Sequence, residues 1–284
     1  MFGKREYADI NVNLNRAFAD RDFLIVKHRG GNGNIIENTI PAFNAARLQG
    51  ADMFELDVAK SIDDVLYCFH TGMEPKNYLQ KISIKELTAA EIDELVFYNT
   101  SLQPCAYKTE RLENVFKTYT HGEIFNLDRA QDHFELVFDL IRKYPYILRQ
   151  GLVKSAVRDN WMEFLDKSDL KVMFMPIVEK EEEIEKALSY KNINIVGFEC
   201  IFRNEQSKFW QDEFIEEMHR QGYFLWANPI TLCDNDFLTA GYNDDKSVKE
   251  SFDKGWGKLI DKGYDVFQTD WVDLLSKYRD SRKK

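Results

Sequence analysis

The chain has 284 residues, 44% hydrophobic and 14% aromatic, enough to bury a sizeable core and to exclude intrinsic disorder. Its formal net charge is −10, and Lys and Arg are scattered among acidic residues rather than gathered in a stripe, which argues against a nucleic-acid binder. No apolar stretch approaches the ~20 residues of a transmembrane helix, and the opening MFGKREYADINVNLNRAF lacks the apolar core of a secretion signal, so a cytoplasmic location is expected.

Short apolar runs then alternate with amphipathic segments. Phe23–His28 reads as a strand, Thr39–Gln49 as a helix stopped by Gly50, and Met53–Val58 as the next strand. Val65–His70 is a short extended run after the acidic turn Asp63-Asp64. From Thr71 to about Arg111 the rhythm breaks, with Pro75, Pro104 and one clear helical pattern, Ser83–Leu95; this is read as an insertion. Regularity returns with a helix at Leu112–Tyr119, a strand at Ile124–Asp128 and a helix at Asp132–Lys143. A strand within Ile147–Lys154 and a helix at Arg158–Leu165 follow. Next come the strand Leu170–Val178, the charged helix Lys180–Ser189, the strand Ile193–Phe202, the helix Phe209–Gln221 and the strand Tyr223–Asn228. A polar loop with Asp234 and Asp236 leads to a helix near Val248–Lys262, a strand at Tyr264–Thr269 and a last helix at Val272–Tyr278.

About eight strands, each followed by a helix and with no linker between them, predict one domain over 1–284. Its expected architecture is an α/β fold, a (β/α)₈ TIM barrel with an insertion at about 71–111. A doubly wound open sheet is the rival. The run Gly30-Gly31-Asn32-Gly33 does not have the spacing of a dinucleotide-binding loop, which weakens it. The four cysteines, Cys68, Cys105, Cys200 and Cys233, form no C-x-x-C pair and are read as packing residues.

In a parallel barrel the strand C-termini converge on one mouth, where catalysis is sited. His28 follows the first strand, Glu55 and Asp57 share one face near the end of the second, and His70 ends the extended run after it. Asp128 ends the third strand and Lys154 closes the fourth. Each alone has a plain structural reading, such as an N-cap for Asn38 or an ion-pair edge for Glu-x-Asp. Together at one rim they outline a metal-assisted hydrolase. Glu55, Asp57 and Asp128 make an oxygen-only set suited to Mg²⁺ or Ca²⁺, and zinc is disfavoured without a His or Cys pair. Arg29 and Lys154 are candidate phosphate-holding cations. His28 and His70 titrate near neutrality and are the candidate base and acid. Strand parity turns Arg129 away from Asp128, so Lys154 is the favoured cation there. Trp226 and Asn228 share a strand face near the mouth and are candidate substrate contacts, with barrel packing the alternative for Trp226. Glu199 is placed behind the site.

These residues carry a resemblance. His28-Arg29-Gly30, Glu37-Asn38-Thr39 with Ala42-Phe43, Gly50-Ala51-Asp52, Glu55-Leu56-Asp57-Val58 and His70 resemble the glycerophosphodiester phosphodiesterases, as does Gln268-Thr269-Asp270 near the end. The resemblance implies a (β/α)₈ barrel, a divalent metal held by Glu55, Asp57 and a later carboxylate, and His28 and His70 as the catalytic pair. It implies hydrolysis of glycerophosphodiesters to an alcohol and glycerol 3-phosphate, through attack by the neighbouring glycerol hydroxyl and a cyclic phosphate. His70 would protonate the leaving alkoxide while His28 assists the nucleophile. The chain departs from the family pattern at Thr71, at the Asp63-Asp64 turn, and at Asp128 and Ala130, where the family has Glu and Lys. Two alternatives stand beside hydrolysis: a lyase-like reaction that stops at the cyclic phosphate, and a barrel that binds phosphodiesters without cleaving them. Residues 71–111 are expected to shape the pocket over the leaving group. Head group, choice of metal and oligomeric state stay open.

Overall fold

The computed structural model describes residues 1–31, 35–232 and 236–282; Asn32, Gly33, Cys233 and Asp234, singled out above, lie outside them. Ten strands are present among the described residues: β1 Leu24–Lys27, β2 Met53–Lys60, β3 Leu66–Cys68, β4 Glu110–Arg111, β5 Ile124–Asp128, β6 Gly151–Ala156, β7 Met173–Val178, β8 Gly197–Cys200, β9 Phe224–Ala227 and β10 Val266–Thr269. Strands β1, β2 and β5 to β10 pair in parallel, and β1 bonds to both β10 and β2, so eight strands close into a barrel. Helices follow the strands around it, as the alternating pattern predicts.

Side-chain parity divides the barrel interior into two halves. The lower positions are apolar: Leu24, Val26, Met53, Ile124, Leu152, Met173, Phe224 and Val266 pack together. Two residues further along β2, β5, β6 and β10 stand Glu55, Asn126, Lys154 and Gln268, which make the mouth polar there. Gly197 belongs to the lower half, where a Cβ would lie 2.3 Å from the Phe224 ring. The bottom is closed by a helix absent from the sequence reading, Val12–Ala19. Its Leu14 is fully buried against the barrel floor, Phe18 packs on Phe224 at 5.6 Å, and a reciprocal amide pair joins Asn11 to Asn194.

A hairpin extends β2 beyond the barrel. There β3 pairs antiparallel with β2, and β4 with β3. The insertion between them has its own core of Tyr67, Phe69, Tyr78, Ile84, Ile92 and Phe97. Buried Glu74 ties it together, accepting from Gly72 N at 2.6 Å and Ile84 N at 3.1 Å. Two expected helices are broken. Ser83–Leu95 is a 3₁₀ turn at Ile84–Glu86 followed by Ala89–Glu94, because Thr88 starts a new helix with a capping box to Glu91. Val248–Lys262 is Asp244–Lys249 and Trp256–Lys262, since Asn243 caps the first and Gly255 stands before the second. Cys68 and Cys200 are buried free thiols, and Cys105 is half-buried. No helix among the described residues is long and apolar enough to cross a membrane.

Candidate active site

After Lys27 the chain turns at once through His28–Gly30, with Arg29 and Gly30 both left-handed at φ 52° and 68°. Glycine is required at position 30, where a Cβ would meet the Phe43 ring at 2.2 Å. The turn aims the Arg29 N–H at Glu55, donating to Oε2 at 2.7 Å. Its guanidinium lies between Asp57 (Nε to Oδ2, 3.3 Å) and Glu37 (3.3 Å).

In register, Asp57 on β2 stands opposite Asp128 on β5, while Glu55 stands opposite Asn126. One carboxylate oxygen from each of Glu55, Asp57 and Asp128 lies within 4.8 Å of the others. Glu55 is buried, and its Oε1 has no hydrogen-bond partner. Burial, then the Asp57 charge, pushes its carboxyl up to about 8. A buried, orphaned oxygen facing two further carboxylates fits a hard divalent cation. Asp57 is braced by Asn38, whose Nδ2 donates to its Oδ2 and whose Oδ1 accepts from its N–H, both at 2.9 Å. Asn38 is therefore not the helix cap. That role falls to Thr39, which accepts from Ala42 N and precedes Ile40–Leu48.

His70 reaches the cluster because β3 runs back along β2. Phe69 N bonds to Asp57 O at 2.9 Å, which sets the next residue beside the carboxylates. His70 Nε2 lies 2.7 Å from an Arg129 guanidinium nitrogen, whose Nε also donates to Asp57 Oδ1 at 3.2 Å. A guanidinium only donates, so Nε2 accepts, and the proton of the neutral ring sits on Nδ1, buried without a partner. Burial lowers the basicity of His70; Arg29 and Arg129 add to this and Asp57 opposes it. The expectation that Arg129 faces away is thus corrected. Its φ of 57° takes it out of strand geometry, and parity no longer sets its direction.

His28 is held by a residue the sequence reading gave no role. Its Nδ1 lies 3.2 Å from Asp270 Oδ1. Burial lowers the basicity of this imidazole, but the Asp270 bond and the Glu55 and Asp270 charges outweigh it and raise its pKa. Asp270 is itself placed by fully buried Asp244, which accepts from Asp270 N at 2.9 Å, Thr269 Oγ1 at 2.7 Å and Trp256 Nε1 at 2.8 Å. The Gln-Thr-Asp segment was visible in the sequence; its pairing with His28 was not.

Lys154 is buried with its ammonium 3.2 Å from Asp128 and 3.1 Å from Glu199, and it also reaches Gln268 at 3.4 Å. Burial opposes its charge, yet the neighbouring acids raise its pKa, and Lys154 in turn outweighs burial to lower that of Asp128. Asn228 is buried and donates to Glu199 at 3.0 Å. Trp226 is fully buried beneath Lys154, 5.7 Å from the ammonium to the ring centre, the position of the barrel-packing alternative.

The glycerophosphoryl diester phosphodiesterase family matches residues 28–222, and a domain of unknown function matches residues 174–279. The chain is 32% identical to the Bacillus subtilis protein YhdW over 112 residues, 38% of this chain and 45% of that protein. It is 38% identical to the glycerophosphodiester phosphodiesterase of Caldanaerobacter subterraneus over 72 residues, 25% of this chain and 30% of the relative. The matched segments thus span less than half of these curated relatives. Among solved structures, a glycerophosphoryl diester phosphodiesterase from Parabacteroides distasonis superposes with a TM-score of 0.75 at 19% identity, covering 93% of this chain and 88% of that one. An Oleispira antarctica phosphodiesterase in complex with the product sn-glycerol-3-phosphate superposes at 0.66 with 15% identity, covering 93% and 99%. These structures share the barrel, and the family match takes in His28, the acidic cluster, His70 and Lys154: the chain belongs to the glycerophosphoryl diester phosphodiesterase family.

Proposed function

We propose that this chain hydrolyses glycerophosphodiesters to an alcohol and glycerol 3-phosphate with a divalent cation, Mg²⁺ or Ca²⁺, held by Glu55, Asp57 and Asp128. The observation that supports the reading best is the convergence of those three carboxylates at a rim that also carries two imidazoles, each with its own charged partner. When bound, the cation offsets phosphate charge and polarises the phosphoryl oxygens.

The side chains divide the remaining work. His28, made more basic by Asp270, accepts the proton of the attacking glycerol hydroxyl. Arg129 and Arg29 are placed to donate to phosphate oxygens. A phosphate offers Arg129 an anionic acceptor stronger than an imidazole lone pair, which releases Nε2 of His70. The same negative charge favours protonation of His70, which then gives its proton to the leaving alkoxide. The phosphorus–oxygen bond to the alcohol breaks as the bond to the glycerol hydroxyl forms. Water then opens the cyclic phosphate to glycerol 3-phosphate. Lys154 keeps Asp128 ionised rather than meeting the substrate directly.

The test is turnover of a panel of glycerophosphodiesters (choline, ethanolamine, inositol and glycerol) with each cation in parallel. Glycerol 3-phosphate and the free alcohol are expected in equal amounts. Accumulating cyclic phosphate would indicate the lyase, and binding without product would indicate a phosphodiester-binding barrel.

A further inference from the structure

Glu37 belongs both to the site and to a neighbouring groove of about 400 Å³, formed by residues 35–37, the short helix Glu74–Asn77 and the loop at 98–102. Its walls are mainly apolar: Ile35, Ile36, Leu79, Tyr98 and Leu102. Two of these are unusual. Leu79 and Leu102 are left-handed, at φ 55° and 58°, and remain 46% and 62% exposed. A leucine gains nothing from either condition, since Asn or Gly fits that backbone with less strain and an exposed apolar side chain stays hydrated. Two such residues on one groove mark a surface built to be covered by something apolar.

The end nearest the carboxylates has the opposite character. The Glu37 carboxylate pairs with both Arg29 at 3.3 Å and Lys76 at 3.5 Å, so this end is charged and polar where the rest of the groove is apolar. Arg29 links this end directly to Asp57. A ligand with a phosphate at one end and a hydrocarbon chain at the other matches the groove along its length. A small polar head group without a chain would leave the apolar walls uncovered.

We propose that the groove takes the single alkyl or acyl chain of an amphiphilic phosphodiester, making chain-bearing phosphodiesters the preferred substrates. This rests on the phosphodiesterase reading above. The test compares kcat/KM of the full chain with Mg²⁺ on three soluble substrates, each below its micellar concentration. Glycerophosphocholine has no chain, glycerophospho-octanol carries one on the leaving alcohol, and monooctanoyl-glycerophosphocholine carries one on the glycerol. One chain-bearing substrate should be preferred over glycerophosphocholine by on the order of tenfold. Which of the two is preferred identifies the side of the phosphate that faces the groove. In the Leu79→Asn, Leu102→Asn double variant, whose asparagines tolerate the left-handed backbone, that ratio should fall toward one. Equal kcat/KM on all three substrates in the wild type, or a preference that survives in the double variant, would overturn the groove assignment and leave the phosphodiesterase reading standing. No hydrolysis of any of the three would overturn both.

Discussion

His28 Nδ1 lies 3.2 Å from the Asp270 carboxylate, a contact made across 242 residues of sequence. Closing the barrel accounts for it: β10 pairs with β1 in register Lys27↔Thr269, which sets the two following residues side by side. Because Asp270 raises the His28 pKa, Asp270→Asn should move the imidazole titration to lower pH, as followed by NMR. The acid limb of kcat/KM should move in the same direction. An unchanged His28 titration would show that the contact does not tune the base. His28→Ala should fold normally and lose about 10²-fold or more in kcat.

Arg129 occupies the lone pair of His70, so removing it should have the reverse sign. Arg129→Ala should raise the His70 pKa, because a cation that opposes imidazole protonation is lost. It should also raise KM, because a donor to phosphate is lost. Arg129→Lys keeps the charge without the planar fork and should restore the titration better than the KM.

Glu55 predicts a pH-dependent stability that the proposed cation, once bound, would remove. Its folded pKa of about 8 lies far above that of an unfolded glutamate. In EDTA the folded state therefore retains a proton that the unfolded state has lost, and stability should fall as pH rises from about 4.5 to about 8. Glu55→Gln should be more stable than wild type at pH 8 in EDTA, and the advantage should shrink toward pH 5. With saturating Mg²⁺ the order should reverse, since only the wild type gains ligand stabilisation. Urea unfolding at both pH values with and without metal checks all of this.

The floor of the barrel gives a stability test remote from the chemistry. Leu14→Ala should cost about 2–5 kcal/mol, since it empties a fully buried position against the lower barrel layer. Turnover of the folded fraction should be unaffected.

Strand and helix order, barrel closure and the residues of the acidic cluster were legible in the sequence, because period-2 and period-3.6 patterns and strand-end placement are local signals. What escaped depends on backbone departures and long-range pairing. Arg129 was misdirected because one left-handed residue ends the alternation. His70 was placed at the rim, but the hairpin reversal that brings it to Asp57 depends on β3 folding back. Asn38 looked like a cap because a capping residue and a carboxylate brace use the same side chain. The Val12–Ala19 plug carries its signal in Ile10, Leu14, Ala17 and Phe18, at helical spacing but diluted by asparagines.

The most direct test of the proposed metal-dependent phosphodiesterase activity is a phosphorus NMR time course on a glycerophosphodiester in excess EDTA, followed by addition of Mg²⁺ or Ca²⁺. The account predicts no conversion in EDTA and glycerol 3-phosphate once the ion is supplied. Full turnover with EDTA in excess would contradict it.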